Sequence, residues 1–394
     1  MSDSRHIPKI GIRIPAWATF TREVFSGITD YMRENSRWRL ETPMDTEREL
    51  ASVRIDEDWT GDGLIVFRYT EEEADAWLKR GVAVVNFSSE CLDPRIPTVT
   101  PDNRECGRLA AAHLIGAKYR NFAFWGDPTR VYSRERAEGF SEAIRAAGFR
   151  CEVLGADVYG LKEEERATKL AEELDRLLGT LPRPCGIFAK DDIAAMEVVR
   201  ACGRSGYGIP GDFAVVGCND EFIFCHTADA PLSSVGYPGR RIGVAIAGIL
   251  DRLLTGETDL PPRTLVAPDP VVVRESSDGD LRLHPHVRKA IRIIRDEAPH
   301  RPIQVAEILE KLPYSRSALK ERFAQETGET LNAMIARIRC ERIRELLANE
   351  KTPMKVISRQ LGFAHYEEMP RFFRRMTGMS PSEWRERRAA GGMR

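Results

Sequence analysis

Short apolar runs alternate with amphipathic stretches from the N-terminus to about residue 275. The apolar runs, which are typical of buried strands, lie at 10–14, 63–67, 82–87, 122–126, 185–190 and 212–218. Stretches in which apolar residues have helical spacing lie between them, for example at 22–35, 103–115, 134–147 and 193–202. This alternation predicts an α/β fold in which parallel sheets are covered by helices on both faces.

The pattern changes after 275–280, a polar stretch without periodicity. Beyond it, apolar residues recur at the spacing of one helix face, at Val287, Ala290, Ile291 and Ile294. A short helix is expected at 305–312, followed by a helix that Ser315 caps and Gly328 ends. We therefore divide the chain into an α/β domain at 1–275, a linker at 276–285 and an all-α domain at 286–394.

The all-α domain contains the same helical plan twice. Thr352-Pro353 begins the second copy, a helix is expected from about 366 to 376, and Ser380 begins a final helix with capping-box spacing. Four pairs of equivalent residues lie 50 positions apart: Leu319/Met369, Phe323/Phe373, Thr327/Thr377 and Gly328/Gly378. A long helix at 331–348 connects the copies, with many arginines outside and with an inner face at Ile335, Ile338, Leu346 and Leu347. The pattern predicts two helix-turn-helix units joined by one helix.

The net charge of −1 hides a division into an acidic and a basic part. From Arg282 onward the chain has 24 Lys and Arg and 14 Asp and Glu, whereas the preceding residues have 35 and 46. A basic domain favours a polyanionic partner, here double-stranded DNA, because the second helix of such a unit can enter a major groove. A plain helical bundle with a solvated basic surface is the alternative.

The candidate DNA contacts lie off the apolar faces of the two second helices. In the first unit they are Arg316, Ser317 and Lys320. In the second unit they are His365, Tyr366, Glu367 and Arg371, with Arg374 and Arg375 near the helix end suited to phosphates. Pro370 lies inside the helix expected at 366–376, and an internal proline predicts a kink or a restriction there.

The segments SRSALKERFAQETGETLNAMI, ISRQLGF and FFRRMTGMSPSEWR resemble the DNA-binding domain of AraC/XylS-type transcription regulators. Pro370 departs from that family, which usually has a small polar or helix-forming residue there. The resemblance implies binding to promoter half-sites, a homodimer, and RNA polymerase as a partner if the protein is an activator.

Polar and aromatic residues follow the predicted strands at their C-terminal ends, where ligands bind to parallel α/β sheets. These ends lie at 14–17, 67–68, 87–88, 126–127, 190–192 and 218–220. Carboxylates and amides pair with vicinal hydroxyls, arginine adds planar donors and an aromatic ring covers the apolar sugar face, so the set suits a small polyol. The alternative is that the acidic and amide residues at 191–192 and 219–220 only cap helices.

The segments DNRECGRLAAAHLIGAKYRNFAFWG, ERAEGFSEAI, FAKDDIAA and VVGCND resemble the effector domain of LacI-type regulators, which has the fold of periplasmic binding proteins. The resemblance implies two doubly wound parallel-sheet subdomains with the ligand between them. Asn219 stands where the family usually has a ligand-binding aspartate, and APLSSVGYP matches the crossover after the last sheet strand. The candidate effector-binding residues are Trp17, Phe20, Arg68, Asp102, Arg136, Asp191, Asp192, Asn219, Asp220 and Tyr237.

The order of the two domains resembles that of AraC-type activators that sense xylose. It implies a ligand-responsive transcription regulator of sugar-utilisation genes, with xylose as the expected effector. Three alternatives stay open: an α/β enzyme with a DNA-binding tail, a regulator with a non-sugar effector, and a constitutive DNA-binding protein. Because GxxxxGK[ST] and GxSxG motifs are absent from the sequence, we expect no enzymatic activity and no cofactor.

Other sequence features indicate the compartment. The eight cysteines are scattered without a CxxC pair and the seven histidines lack zinc spacing, so free thiols and no metal are expected. The sequence lacks an apolar run near the roughly 18 residues of a membrane helix, and its N-terminus lacks the apolar segment of a secretory signal. These features predict a cytoplasmic protein without membrane contact.

Overall fold

The structure, a computed structural model, describes residues 6–14, 19–35, 38–41, 59–90, 92–155, 162–348 and 352–389. The chain forms two compact units, Met1–Gly279 and Asp280–Arg394. The division between the units lies inside the predicted linker at 276–285.

Unit 1 alternates strands with helices, as the apolar pattern predicts. Its strands are β1 (Lys9–Arg13), β2 (Arg39–Glu41), β3 (Gly63–Val66), β4 (Ala83–Asn86), β5 (Thr98–Pro101), β6 (Asn121–Gly126), β7 (Cys151–Gly155), β8 (Cys185–Ala189), β9 (Phe213–Asn219), β10 (Ser233–Gly236), β11 (Arg263–Val266) and β12 (Asp269–Val272). Its helices are α1 (Thr19–Asn35), α2 (Glu71–Lys79), α3 (Asn103–Gly116), α4 (Val131–Ala146), α5 (Glu163–Thr180), α6 (Asp192–Ser205), α7 (Phe222–Thr227) and α8 (Gly239–Leu254).

The strands form two sheets, in the orders β11-β5-β4-β3-β1-β2 and β12-β10-β9-β8-β6-β7. Neighbouring strands run parallel, except that β12 pairs with β10 in the antiparallel direction. The chain builds the first sheet with β1 to β5 and the second with β6 to β10, then adds β11 to the first and β12 to the second. It thus passes between the sheets three times, and the predicted pair of doubly wound subdomains is confirmed.

The kind of side chain at the buried positions explains which strands the apolar pattern predicts. Every position of β3 and of β8 is buried, so these strands read as continuous apolar runs. Every position of β5 and of β10 is also buried, but these strands carry threonines and serines, among them Thr98, Thr100, Ser233 and Ser234. A search for apolar runs therefore misses them. The segment APLSSVGYP thus contains a strand of the second sheet and is not only a crossover.

The first residues of the predicted linker are packed into unit 1. Ser276 and Ser277 lie in a 3₁₀ helix and are fully buried. The Ser276 hydroxyl donates to the Val215 carbonyl oxygen (2.6 Å) and accepts from the Ser233 amide (2.8 Å), and the Ser277 hydroxyl lies 2.7 Å from Nε2 of His113. These bonds fix residues 276–277 against the second sheet. A second 3₁₀ helix, Gly279–Arg282, follows.

Unit 2 is all helical. Its helices are α9 (Pro285–Glu297), α10 (Val305–Glu310), α11 (Arg316–Thr327), α12 (Leu331–Leu347), α13 (Met354–Gln360), α14 (Glu368–Thr377) and α15 (Pro381–Ala389). The four residues that define the apolar face of α9 in the sequence are all buried. Two helix-turn-helix units, α10–α11 and α13–α14, are joined by α12, and this prediction is confirmed.

The duplication extends to individual hydrogen bonds. The Thr327 hydroxyl donates to the carbonyl oxygens of Phe323 (2.6 Å) and Glu329 (3.0 Å), and the Thr377 hydroxyl makes the equivalent bonds 50 residues later, at 2.8 and 3.1 Å. Gly328 and Gly378 then end the two helices with φ of 76° and 79°. A residue with a side chain rarely adopts this left-handed conformation, so both positions favour glycine.

Pro370 does not lie in a helix interior, and the expectation of a kink is wrong. Helix α14 begins at Glu368, so Pro370 is its third residue. The first four amides of a helix have no intrahelical acceptor, and a proline in that turn removes none of the helical hydrogen bonds. The sequence reading began the helix two residues too early, at Tyr366, which lies in the preceding turn.

Candidate ligand cleft and nucleic-acid interface

A cavity of about 520 Å³ lies between the two sheets of unit 1, at the carboxyl ends of their strands. Residues that follow β1, β3 and β4 line it from the first sheet, and residues that follow β8 and β9 line it from the second. The cavity therefore occupies the edge at which the sequence places the ligand. Its volume lies within the range of small-molecule sites.

Four aromatic rings form one wall of the cavity. Phe20 of α1 packs against Phe67 and Tyr237, with ring centroids 5.7 and 5.0 Å apart, and Phe67 packs against Phe87 at 5.0 Å. Arg68 lies on the other side of Phe67, with its guanidinium 5.5 Å from the ring centroid, and is exposed at the cavity rim. Such a wall can cover the apolar face of a small cyclic ligand.

Arg136 is the centre of the polar side of the cavity and is only 3% exposed. Its Nε donates to Oδ1 of Asn103 (3.0 Å), Nη1 to the carbonyl oxygen of Lys190 (2.5 Å) and Nη2 to Oδ1 of Asn219 (3.0 Å). The guanidinium also lies 5.1 Å from the centroid of the Tyr132 ring. Three elements, α3, β8 and β9, are thus tied to α4 through one side chain, which presents its remaining N–H groups in a fixed geometry.

Asp191 is held by protein groups through both carboxylate oxygens. Oδ1 accepts from the Ala194 amide (2.9 Å) and so caps α6, while Oδ2 accepts from Lys190 Nζ (2.5 Å) and from the Tyr132 hydroxyl (3.2 Å). Burial raises the pKa of Asp191, but the charge and hydrogen bond of Lys190, the hydrogen bond from the Ala194 amide and the charge of Arg136 together outweigh it and hold the pKa below its ordinary value. The pair is therefore ionised, and its charges compensate each other inside the cavity.

Asp192 connects three segments of the second sheet. Its Oδ1 accepts from the Ser234 hydroxyl (2.6 Å) and its Oδ2 from the Glu221 amide (2.8 Å). Burial raises the pKa of Asp192 to about 7, and the side chain is 1% exposed. Although Asp192 borders the cavity, its hydrogen bonds make it a positioning residue for the loop after β9.

The backbone is strained where β9 ends. Asn219 and Asp220 have φ of 111° and 51°, values that residues with side chains rarely adopt and that cluster at functional sites. The Asn219 amide oxygen accepts from Arg136, whereas the Asp220 carboxylate pairs with Arg274 Nη1 at 2.7 Å. Asp220 is thus directed to Arg274 and does not substitute for the aspartate that Asn219 replaces.

Seven of the ten candidate effector-binding residues line the cavity: Phe20, Arg68, Arg136, Asp191, Asp192, Asn219 and Tyr237. Trp17 lies outside the described residues. The structure does not bring Asp102 or Asp220 to the cavity wall. Asp102 instead caps α3, accepting from the Glu105 amide at 3.0 Å, and the residue after it, Asn103, reaches the cavity.

Several cavity residues were missed by the sequence reading. Glu90, Tyr132, Lys190 and Glu221 all line the cavity. Glu90 and Glu221 lie a few residues beyond the predicted strand ends, and Tyr132 lies one helical turn before Arg136. A wider window after each strand would have included the two glutamates.

Two contacts connect the halves of unit 1 across the cavity. The Glu221 carboxylate, which follows β9, accepts from the amides of Thr19 and Phe20 at 3.1 Å each, so it caps the first turn of α1. Arg263 of β11 donates to both oxygens of Glu135 in α4, at 2.6 and 2.8 Å. Both contacts join the half that contains the first sheet to the half that contains the second, and Glu221 and Phe20 do so at the cavity wall.

The nine candidate DNA contacts are all exposed. Arg316, Ser317 and Lys320 lie on the first two turns of α11. Arg371, Arg374 and Arg375 lie on α14, while His365, Tyr366 and Glu367 precede it. Leu319, Phe323, Met369 and Phe373, on the opposite faces of the two helices, are fully buried. The exposed basic faces of α11 and α14 are therefore free of core packing.

One arginine of α12 is buried, whereas Arg337 and Arg344 of the same helix are exposed, as the sequence predicts for many of its arginines. Arg339 is 6% exposed and donates to the carbonyl oxygens of Ala298 and Leu361, at 3.0 Å each. Its guanidinium stacks on Phe363 at 4.6 Å from the ring centroid. Ala298 ends α9 and Leu361 ends α13, so Arg339 connects the first helix-turn-helix half of unit 2 to the second.

Grouped metal ligands and long apolar helices are both absent from the part of the chain that the structure describes. There, no three His, Cys, Asp or Glu side chains are grouped as metal ligands would be. Within the same ranges no helix has the length and apolar character of a membrane span. The seven described cysteines are free thiols, and Cys91 lies outside the described residues.

Comparison with known proteins adds to this geometry. A model of the periplasmic binding protein-like domain matches residues 111–277, and a model of the helix-turn-helix domain matches 308–387. The xylose operon regulatory protein of Escherichia coli K12 is 27% identical over 395 residues, covering 98% of each chain. Its namesake in Haemophilus influenzae is 29% identical over 296 residues, covering 74% of this chain and 75% of the relative. The solved structure of the xylose-binding transcription activator XylR is 26% identical, with a TM-score of 0.60 over 97% of this chain and 98% of that one.

Proposed function

We propose that xylose is the effector of this DNA-binding transcription regulator, which joins a periplasmic binding protein-like domain to an AraC-type helix-turn-helix domain. The observation that carries the proposal is likeness over both domains at once. The xylose operon regulatory protein of E. coli and the xylose-binding activator XylR each align with nearly the whole chain.

The composition of the cavity supports a small neutral sugar. Aromatic rings form part of the cavity lining, and the guanidinium of Arg136, the hydroxyl of Tyr132 and the carboxylate of Glu90 contribute polar groups to it. Hydrogen-bond donors and acceptors that converge opposite an apolar face match a pyranose ring, which has hydroxyl groups at its edge and C–H groups on its faces. We propose that this site binds its ligand without transforming it.

The position of the cavity supports regulation by closure. Because the cavity lies between two sheets, a bound sugar contacts both halves of unit 1 and favours the arrangement in which they are close. Glu221 and Arg263 make contacts between the two halves that belong to this arrangement. We propose that xylose stabilises this closed arrangement and that closure changes the DNA affinity of unit 2.

For DNA binding, we propose that α11 and α14 enter successive major grooves, which lie about 34 Å apart along the duplex. Adjacent half-sites would be occupied by a homodimer, and an activator of this kind would contact RNA polymerase. Phe222 and Ile223 of α7 support a dimer, since they are 64% and 60% exposed and adjacent apolar side chains on a surface mark interfaces. Light scattering coupled to size exclusion tests the dimer directly.

Isothermal titration calorimetry of the full-length protein tests the effector. D-xylose should bind at one site per chain, and L-arabinose, D-ribose and D-glucose should bind more weakly. Chromatography of the sugar after incubation should recover xylose unchanged. Tighter binding of another sugar would identify that sugar, and not xylose, as the effector. Conversion of the sugar to a product would show that the protein is an enzyme and contradict the proposal that it only binds its ligand.

A further inference from the structure

Among the carboxylates that line the cavity within the described residues, Glu90 is the one with an unused buried oxygen. Asp191, Asp192 and Glu221 each accept hydrogen bonds from protein donors through both oxygens. Oε2 of Glu90 lies 3.8 Å from Arg130 Nη1. Oε1 of Glu90 is buried and accepts no hydrogen bond from any described residue, and the side chain is 13% exposed.

The turn that carries Glu90 is rigidly built. Asn86, at the end of β4, is fully buried and donates to the Ser88 carbonyl oxygen (2.8 Å) and to the Thr98 hydroxyl (3.2 Å). Asn86 Oδ1 accepts from the Ser88 amide (3.0 Å), and the Ser88 hydroxyl accepts from the Glu90 amide (3.3 Å). A buried network of this kind fixes the backbone, so Glu90 is held at the cavity rather than displaced into solvent.

A buried carboxylate oxygen without a donor is destabilising in the unliganded protein. We propose that Glu90 Oε1 accepts a hydrogen bond from a hydroxyl group of the effector and thereby selects a neutral sugar over an acidic one. A sugar acid would bring a second anion to a place with low solvent access, where like charges repel strongly. This inference rests on the proposed function, since it takes the cavity as the effector site.

The Glu90→Gln variant separates recognition from folding. Its amide keeps the shape and removes the charge, so we expect D-xylose affinity to fall about tenfold, the size of a lost charge-assisted hydrogen bond. D-xylonate should lose less affinity than xylose or gain some. The thermal midpoint of the unliganded variant should rise, because Glu90 no longer buries a charged oxygen without a donor, while the lost ion pair with Arg130, at 3.8 Å, is too long for a hydrogen bond. A residue with only a structural role would instead lower the midpoint. The matched control is Glu71→Gln, an exposed glutamate at the start of α2.

Monodeoxy-D-xyloses identify the hydroxyl. One of them should bind wild type about tenfold more weakly than xylose and should lose no further affinity in Glu90→Gln, because both changes remove the same bond. Wild-type xylose affinity in Glu90→Gln, or losses that add for every deoxy sugar, would overturn the inference. If the wild-type protein does not bind xylose, the proposed function fails. The affinity of Glu90→Gln for the neutral sugar that does bind then decides the inference. Binding of sugar acids alone, or of no sugar, overturns both.

Discussion

Replacement of Arg339 by methionine tests how the two helix-turn-helix units are held together. The arginine lies inside unit 2 and donates to the last carbonyl groups of α9 and α13, one in each half. Burial lowers the pKa of Arg339 from its ordinary value, yet an arginine stays protonated, so the side chain is a buried cation bound to two carbonyl dipoles. Methionine keeps the apolar stem and the contact with Phe363 but removes both donors.

The expected loss of stability can be worked from these two bonds. A hydrogen bond that involves a charged group contributes about 1.5–3 kcal/mol, and removal leaves two carbonyl groups near the core without donors. The desolvation of the guanidinium is regained, which offsets part of the loss. We expect a net destabilisation of about 2–4 kcal/mol, confined to unit 2. Opening of α13 and α14 should then be 30-fold or more frequent, since 1.4 kcal/mol is a factor of ten.

Hydrogen-exchange mass spectrometry of the full-length protein measures the opening of individual helices. Peptides from α13 and α14 should exchange faster in Arg339→Met than in wild type. The affinity for DNA that spans the major grooves contacted by α11 and α14 should fall more than the affinity for xylose. The control is Arg337→Met, two residues away on the same helix. Arg337 is exposed and pairs with Glu329 and Glu341, contacts worth at most about 1 kcal/mol. Equal exchange in the two variants would refute the role assigned to Arg339.

Three further predictions concern the cleft and the DNA surface. Glu221→Gln removes the charge that caps α1, an interaction of about 0.3–2 kcal/mol. Hydrogen exchange in α1 should therefore increase and xylose affinity should fall a few-fold. Unchanged exchange would contradict the contact across the cleft. Arg316→Ala should weaken DNA binding and reduce its salt dependence, while the xylose affinity stays unchanged. Arg322→Ala of the same helix is the control, and a loss of both affinities in Arg316→Ala would contradict the modular account. Asp192 has a folded pKa of about 7 against an ordinary value of 3.8. The folded state therefore holds the proton over this window, and stability should fall as pH rises from about 4 to 7. Asp192→Asn should flatten that slope in chemical denaturation, and parallel curves for both proteins would disprove it.

The sequence predicts the fold best where a residue type has a single structural use. Parallel strands whose buried positions are filled mainly by apolar side chains, such as β3, β8 and β9, are readable as continuous runs. Glycines such as Gly328 and Gly378 mark helix ends because their left-handed backbone excludes most other residues. β5 and β10 were missed because their buried positions are filled by hydroxyl side chains whose partners are distant in sequence.

The sequence predicts the position of the cleft better than it predicts the role of each residue in it. The predicted strand ends converge, and seven of ten candidate residues line the cavity. Whether a carboxylate faces the ligand or a protein donor depends on partners far along the chain, such as Arg274 for Asp220. Asp102 caps α3 and is not among the residues that line the cavity, and the sequence does not distinguish these positions because a helix cap and a ligand contact use the same residue type. Glu90 was missed because it lies two residues beyond the predicted strand end, and Arg339 because its role depends on burial.

The central claim is that xylose controls DNA binding by this protein. Its most direct test is fluorescence anisotropy of the full-length protein with DNA enriched from a random library, titrated with and without D-xylose. The account predicts that saturating xylose changes the dissociation constant at least several-fold and that Arg136→Ala, which removes the centre of the polar cavity wall, abolishes the change while DNA binding itself persists. Identical dissociation constants with and without xylose, in a protein that binds the sugar, would contradict it.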